Sequence, residues 1–298
     1  LVYDLVHNGT IYFLCRPRRF GKSLLVSTLK CYFEEKKELF KGLSIDKLEK
    51  EWKQYPVFHL SFGGQNYIEP YTLEHVLEEF VARAELVYGK DELAKTLSSR
   101  FRAVLKKAHA KTGVRAVVLI DEYDKPLLDV MDMDISVQNE YGKMTLEDYN
   151  RNLLRGVYSV FKEADDDLQF VLLTGVTKFS QVSIFSELNN ITNISMLPEY
   201  AGICGFTKEE LLTQMQEYVQ EFSNTKNWSI EQTIAKLKEY YDGYHFALQS
   251  PDIFNPFSLL SCLSLKRVDP YWFSSGTPTY LINMMKKFDV NFTDFAEG

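Results

Sequence analysis

A chain of 298 residues, 45% hydrophobic and 25% charged, is long enough for one large domain or a core with a smaller appendage, and too apolar to be disordered. Its formal net charge of −7 excludes a global electrostatic drive toward nucleic acid or an anionic membrane surface. Four scattered cysteines, Cys15, Cys31, Cys204 and Cys262, form no Cys-x-x-Cys pair, which argues against a zinc site or disulfide scaffold and fits a reducing, cytoplasmic setting. No run approaches the ~18 apolar residues of a membrane span, and no secretory signal pattern is present, so no membrane partner is expected. The chain begins at Leu1 rather than methionine, which marks it as a candidate fragment with a short piece expected ahead of its first strand.

The first predicted strand, residues 11–14, runs into a basic turn, Arg16-Pro17-Arg18-Arg19-Phe20, and then Gly21-Lys22-Ser23. Beyond Ser23 the apolar positions Leu24, Leu25, Leu29, Tyr32 and Phe33 recur at helical spacing, so the tripeptide sits at a strand-to-helix junction. That is where a phosphate-binding loop belongs: backbone N–H groups and the positive end of the helix dipole meet the anion there. Lys22 would reach the outer phosphates, and Ser23 would ligate Mg²⁺. The usual pattern has glycine at the position occupied by Arg16, and Gly-Lys-Ser alone is a common tripeptide.

A charged stretch, residues 34–53, leads to a strand over 55–62 that ends at Gly63-Gly64. Amphipathic helices are predicted over 72–88 and 92–111, the second stopped by Gly113. Arg115-Ala116-Val117-Val118-Leu119-Ile120 is a continuous apolar run, as in a strand buried on both faces of a parallel sheet, and it ends in Asp121-Glu122. Residues 131–144 read as an irregular surface loop, 145–165 as a helix and 168–175 as another buried strand. Alternating strands and helices predict an α/β fold, a three-layer αβα sandwich around a largely parallel, doubly wound sheet. From residue 205 the pattern turns helical, with capping boxes at Thr207-Glu210 and Ser229-Gln232 and Asn255 before Pro256. The expected division is a core over 1–204 and a small helical lid over 205–298.

Ligands in such sheets bind beyond the carboxyl ends of the strands, where the Gly21-Lys22-Ser23 loop and Asp121-Glu122 would both emerge. The pair alone reads equally as a solvated strand end; together with the loop it forms the two halves of an MgATP site. Asp121 would hold Mg²⁺ with Ser23, and Glu122 would be the general base. Nucleotide-binding proteins with glutamate beside the metal aspartate carry an extra strand between the loop strand and the carboxylate strand, and residues 55–62 are taken as that strand. Thr174, ending the next strand, is placed to sense the γ-phosphate, or else is satisfied by local backbone. Asp124 reads as capping a turn before Pro126 rather than as a third acidic member. The residues expected around the nucleotide are Arg18, Arg19, Phe20, Gly21, Lys22, Ser23 and Leu24, with Lys22, Glu122 and Thr174 carrying catalysis.

These residues resemble the bacterial AAA-ATPase-like family, related to the archaeal-type and STAND P-loop ATPases. The resemblance rests on residues 13–25, on Val118-Leu119-Ile120-Asp121-Glu122-Tyr123-Asp124-Lys125-Pro126, on residues 174–190, and on Tyr241-Asp242-Gly243-Tyr244 with Asn255-Pro256-Phe257-Ser258. Within that family Arg-Pro-Arg-Arg-Phe-Gly-Lys-Ser is the ordinary loop. The resemblance implies ATP hydrolysis with Mg²⁺. It also implies a frequent C-terminal nuclease-like domain of the PD-(D/E)xK type that this chain stops short of, and through it a nucleic-acid partner. A nucleotide-dependent switch with little turnover is the competing expectation, and nucleic-acid binding through residues 16–19 a weaker one. An arginine finger from a neighbour would make a homo-oligomer; Arg151 and Arg155, four apart, are better read as a solvated helix face. Residues 179–195 read as a coupling loop or an ordinary surface loop, and residues 241–244 as a glycine-terminated helix end rather than a nucleotide cover.

Overall fold

The computed structural model describes residues 1–139, 142–177 and 191–271. They form two compact units, one of Leu1–Cys204 together with His245–Ser250, the other of Gly205–Tyr244 and the chain from Pro251 onward. In chain order the first unit carries α1 (Val2–His7), β1 (Ile11–Cys15), α2 (Lys22–Phe33), α3 (Ser44–Leu48), β2 (Val57–Ser61), α4 (Thr72–Tyr88) and α5 (Leu97–Thr112). It continues with β3 (Ala116–Asp121), α6 (Lys125–Leu128), β4 (Ser136–Asn139), β5 (Gly142–Thr145), α7 (Leu146–Glu163), β6 (Leu168–Gly175) and β7 (Thr192–Asn193).

Five strands build one sheet in the order β2-β3-β6-β1-β7, every pair parallel. Burial on both faces accounts for the unbroken apolar runs: all six residues of β3 are buried. One face packs against α2, where Phe33 meets Phe170 at 5.1 Å and Tyr12 meets Phe170 at 5.6 Å. The other carries Phe13, Val118, Ile120 and Leu173 into a core with Leu77 of α4, Phe101 and Leu105 of α5, and Phe161 of α7. The result is the αβα sandwich. Registers Leu14↔Thr174, Ile120↔Leu173 and Ser61↔Asp121 bring the carboxyl ends of four strands to one edge.

Four sequence expectations are corrected. The strand lying between β1 and β3 is β6; β2, which precedes β3 in sequence, pairs on its far side through Val57↔Val117. The helix expected from residue 92 starts at Leu97, because Thr96 and Ser99 close a reciprocal capping box. Residues 131–144 are not wholly irregular: β4 and β5 pair as an antiparallel hairpin, and Val137 packs with Val130, Leu146 and Tyr149. Leu24, counted on the apolar face of α2, is 70% exposed, and Val26 takes its place in the core.

The second unit holds β8 (Phe206–Thr207) antiparallel to β9 (Ile253–Phe254), with α8 (Lys208–Thr213), α9 (Gln216–Lys226), α10 (Ile230–Tyr241) and α11 (Pro256–Leu265) around Leu211, Phe222, Leu237 and Leu263. Both predicted capping boxes are formed, and Asn255 accepts a hydrogen bond from Ser258 N at 3.0 Å. Residues 179–190 of the predicted coupling segment lie outside the described residues. Among the described residues no helix is long and apolar enough to cross a membrane, and no disulfide joins the four cysteines.

Candidate active site

The loop after β1 first continues the sheet. Arg16 N donates to Gly175 O at 3.2 Å, and positive φ falls on Arg19 (67°) and Gly21 (87°), not on residue 16. No glycine is therefore needed where Arg16 stands. Its side chain, 1% exposed, turns away from the loop: Nη1 donates to Cys15 O at 3.0 Å and Ser195 O at 2.6 Å, and Nη2 to Tyr200 O at 3.1 Å and Ala201 O at 3.3 Å. The guanidinium lies 3.9 Å over the Phe246 ring, a cation–π contact closing the cage. Burial lowers its pKa, and the same burial pushes the nearby Cys204 thiol up to about 11. Most of these partners are distant in sequence, which leaves no local motif.

Phe20 is fully buried, edge-on to Phe246 at 5.5 Å, and the Leu24 side chain is exposed on α2 and absent from the cleft lining. Both were expected around the nucleotide; their side chains point elsewhere, leaving only backbone N–H groups for that task. Because the first bond of α2 runs from Leu25 N to Gly21 O at 3.0 Å, the amides of Lys22, Ser23 and Leu24 precede its ladder, as in an anion-binding helix start. Lys22 is buried and folded back, Nζ donating to Arg16 O at 2.9 Å and Pro17 O at 3.0 Å. Burial lowers its pKa, and Asp124 and Asp121 oppose that shift.

At the end of β3, Asp121 is 5% exposed; its Oδ1 accepts from Thr174 Oγ1 at 2.5 Å and Glu122 N at 3.1 Å. Thr174 is fully buried, so its hydroxyl orients Asp121 from the adjacent strand instead of facing the cleft or the local backbone. Glu122 takes a left-handed φ of 56°. Burial, then Asp121, raises its carboxyl pKa, while Lys125 and Lys22 pull it back. A Cβ on Gly63 would stand 3.3 Å from Glu122 Oε2, so the glycine two residues past β2 leaves room for the Glu122 carboxylate, a role with no motif signal.

Asp124 does not use its carboxylate as a turn cap. Buried at 1% exposure, its Oδ2 accepts from Val176 N and Thr177 N, both at 2.8 Å, and from Thr177 Oγ1 at 2.9 Å, pinning the exit of β6. The backbone turn forms without it, through Leu128 N to Asp124 O at 2.9 Å. Tyr123 Oη donates to Thr177 O at 2.8 Å. Gly175 makes this junction fit, since a Cβ there would lie 2.4 Å from Tyr123 Cε1.

These groups line one cleft of about 380 Å³: Arg18, Arg19, Gly21, Lys22 and Ser23 from the loop and α2, Glu122, Asp124, Lys125, Leu128 and Asp129 from the segment after β3, and Val176. Mg²⁺ commonly takes one or two protein oxygens and completes its shell with water and phosphate. The Ser23 hydroxyl and an Asp121 carboxylate already oriented through Oδ1 are hard oxygen donors of that kind. Arg151, 21% exposed, pairs with Glu147 and Asp148 on its own helix, and Arg155 one turn on is part-buried with its Nε inside, so this face is less solvated than expected.

Among known families, the one described as predicted AAA-ATPase matches residues 1–185. A protein of Azotobacter chroococcum mcd 1, described as an uncharacterized protein in the vnfD 5′ region, is 34% identical over 285 residues, 95% of this chain and 50% of its own length. The chain thus spans half the length of that curated relative.

Proposed function

The chain belongs to the predicted AAA-ATPase family, and from that premise we propose that it binds MgATP in the cleft at the head of α2 and hydrolyses it, the second unit responding by conformational change. One observation carries the reading: Lys22, Ser23 and Glu122 line the same cleft, and the neighbouring Asp121 is held by Thr174 and by the backbone of Glu122. The amides starting α2 and the Lys22 ammonium bind the phosphates, with Arg18 and Arg19 along the same cleft. Ser23 and Asp121 would hold Mg²⁺, which when bound supplies charge neutralisation on the phosphates. Glu122 accepts the proton of the attacking water. Thr174 is a positioning residue that acts through Asp121.

Replacing Glu122 by Gln tests this: ATP turnover is expected to disappear while binding of a non-hydrolysable analogue persists. Unchanged turnover would remove Glu122 as the base. A second reading, a nucleotide-dependent switch with little turnover, is favoured by Lys22 being folded onto its own loop carbonyls, and analogue binding without turnover in the parent would select it. Nucleic-acid binding through the arginine run is less favoured, because Arg16 is buried and Arg18 and Arg19 line the cleft. A homo-oligomer, a nucleic-acid partner and a cytoplasmic setting remain proposals that rest on the resemblance and the cysteine pattern.

A further inference from the structure

A second lysine enters this cleft from the carboxylate side. Lys125, at the start of α6, lines it together with Lys22 and Glu122, and its Nζ donates to Asp129 Oδ2 at 2.6 Å. The ammonium stands 5.8 Å from the Tyr67 ring centre. Tyr67 is fully buried, feels the charges of Asp129 and Glu122, and its hydroxyl has no hydrogen-bond partner among the described residues. Asp129, just past this short helix, thus holds the lysine by one pair.

Phosphoryl transfer to water needs positive charge on the γ-phosphoryl oxygens beyond that of the loop lysine, and many such enzymes take it from an arginine of another protein or subunit. We propose that Lys125 is that cation, supplied in cis: with nucleotide bound, its ammonium leaves Asp129 for the γ-phosphoryl oxygens. This rests on the hydrolytic reading of the cleft. The water oxygen bonds to the γ-phosphorus as the bond to the β,γ-bridging oxygen breaks. The water proton passes to Glu122 and the electron pair leaves on the ADP oxygen; Lys125 transfers no proton. A long flexible stem with a compact charge suits a swing of this kind.

The test compares the whole chain with Lys125→Met and Lys125→Arg, measuring single-turnover ATP hydrolysis from pH 5.5 to 9, affinity for a fluorescent non-hydrolysable ATP analogue, and melting temperature. Lys125→Met is expected to lower the plateau rate about 100-fold or more with analogue affinity within about threefold, and Lys125→Arg to recover part of the rate. Rate per mole of protein is expected to be independent of protein concentration. A plateau within threefold of the parent in Lys125→Met, with only the acid limb moved, would reduce Lys125 to tuning Glu122 and overturn the proposal. So would an equal loss of rate and affinity, or a specific rate that climbs with protein concentration. An active parent indifferent to Lys125→Met defeats this inference alone, whereas a parent that binds the analogue without turnover defeats the hydrolytic reading and this inference together.

Discussion

Replacing Arg16 by glycine, the residue the usual loop pattern carries there, is expected to weaken the fold rather than repair the loop. The guanidinium donates to four carbonyl oxygens and stacks on Phe246. Without it the Ser195 and Ala201 carbonyls lose their Arg16 donor, while the Tyr200 carbonyl keeps Ile203 N at 3.1 Å, and each stranded buried acceptor costs about 1–3 kcal/mol. Two effects offset this: water can enter the space, and burying a cation is itself unfavourable, as the downward shift of the Arg16 pKa indicates. Because the acceptors are neutral carbonyls, no charge is left unpaired, and the lost donors cost a net of about 2–4 kcal/mol. At about 2–4 °C per kcal/mol for a unit of this size, melting should fall by roughly 10 °C. Thermal unfolding followed by circular dichroism reads this, with Arg16→Lys, which keeps the charge and loses the planar fork, expected in between. A glycine variant that melts within about 2 °C of the parent would refute the account of Arg16 as the anchor of the loop.

Three further outcomes are expected. Glu122 must be ionised to take a proton, and because burial raises its pKa, turnover should fall toward acid pH through a limb above the usual glutamate range; a limb at or below that range would contradict the assignment. Thr174→Val should weaken the apparent Mg²⁺ affinity about 10-fold in metal titrations of analogue binding, with Thr174→Ser close to the parent; equal affinities would sever the link between Thr174 and Asp121. Gly175→Ala places a methyl 2.4 Å from Tyr123 Cε1 and 2.8 Å from Asp124 Oδ1, which should cost about 1–3 kcal/mol in denaturant unfolding, and a neutral result would mean that the β6 exit can shift freely.

What could be read in advance was local and periodic. The apolar run ending at Asp121 and the junction before Lys22 state their own burial and direction, so both halves of the cleft were legible. Partners across strands were not. The spatial neighbour of β1 is decided by side-chain fit over the whole sheet, so the strand adjacent in sequence was mistaken for the one adjacent in space. Thr174 was legible as a strand end, but its bond to Asp121 depends on that same pairing. Asp124 looked like a turn residue because aspartate before a Lys-Pro step often is one; its amide partners, Val176 and Thr177, lie on another strand's exit. Arg16 looked like damage because its acceptors and its aromatic cover lie far along the chain.

That aromatic cover sets the order in which the first unit can be completed during synthesis. Phe246 belongs to a short return of the chain, His245–Ser250, that follows the whole of Gly205–Tyr244. Until that return has left the ribosome, the Phe246 ring cannot cover the Arg16 guanidinium or meet Phe20 edge-on. The loop reaches its final form only after residue 246 has been made. A fragment ending at Cys204 would hold every residue that lines the cleft and still omit the ring that covers its anchor.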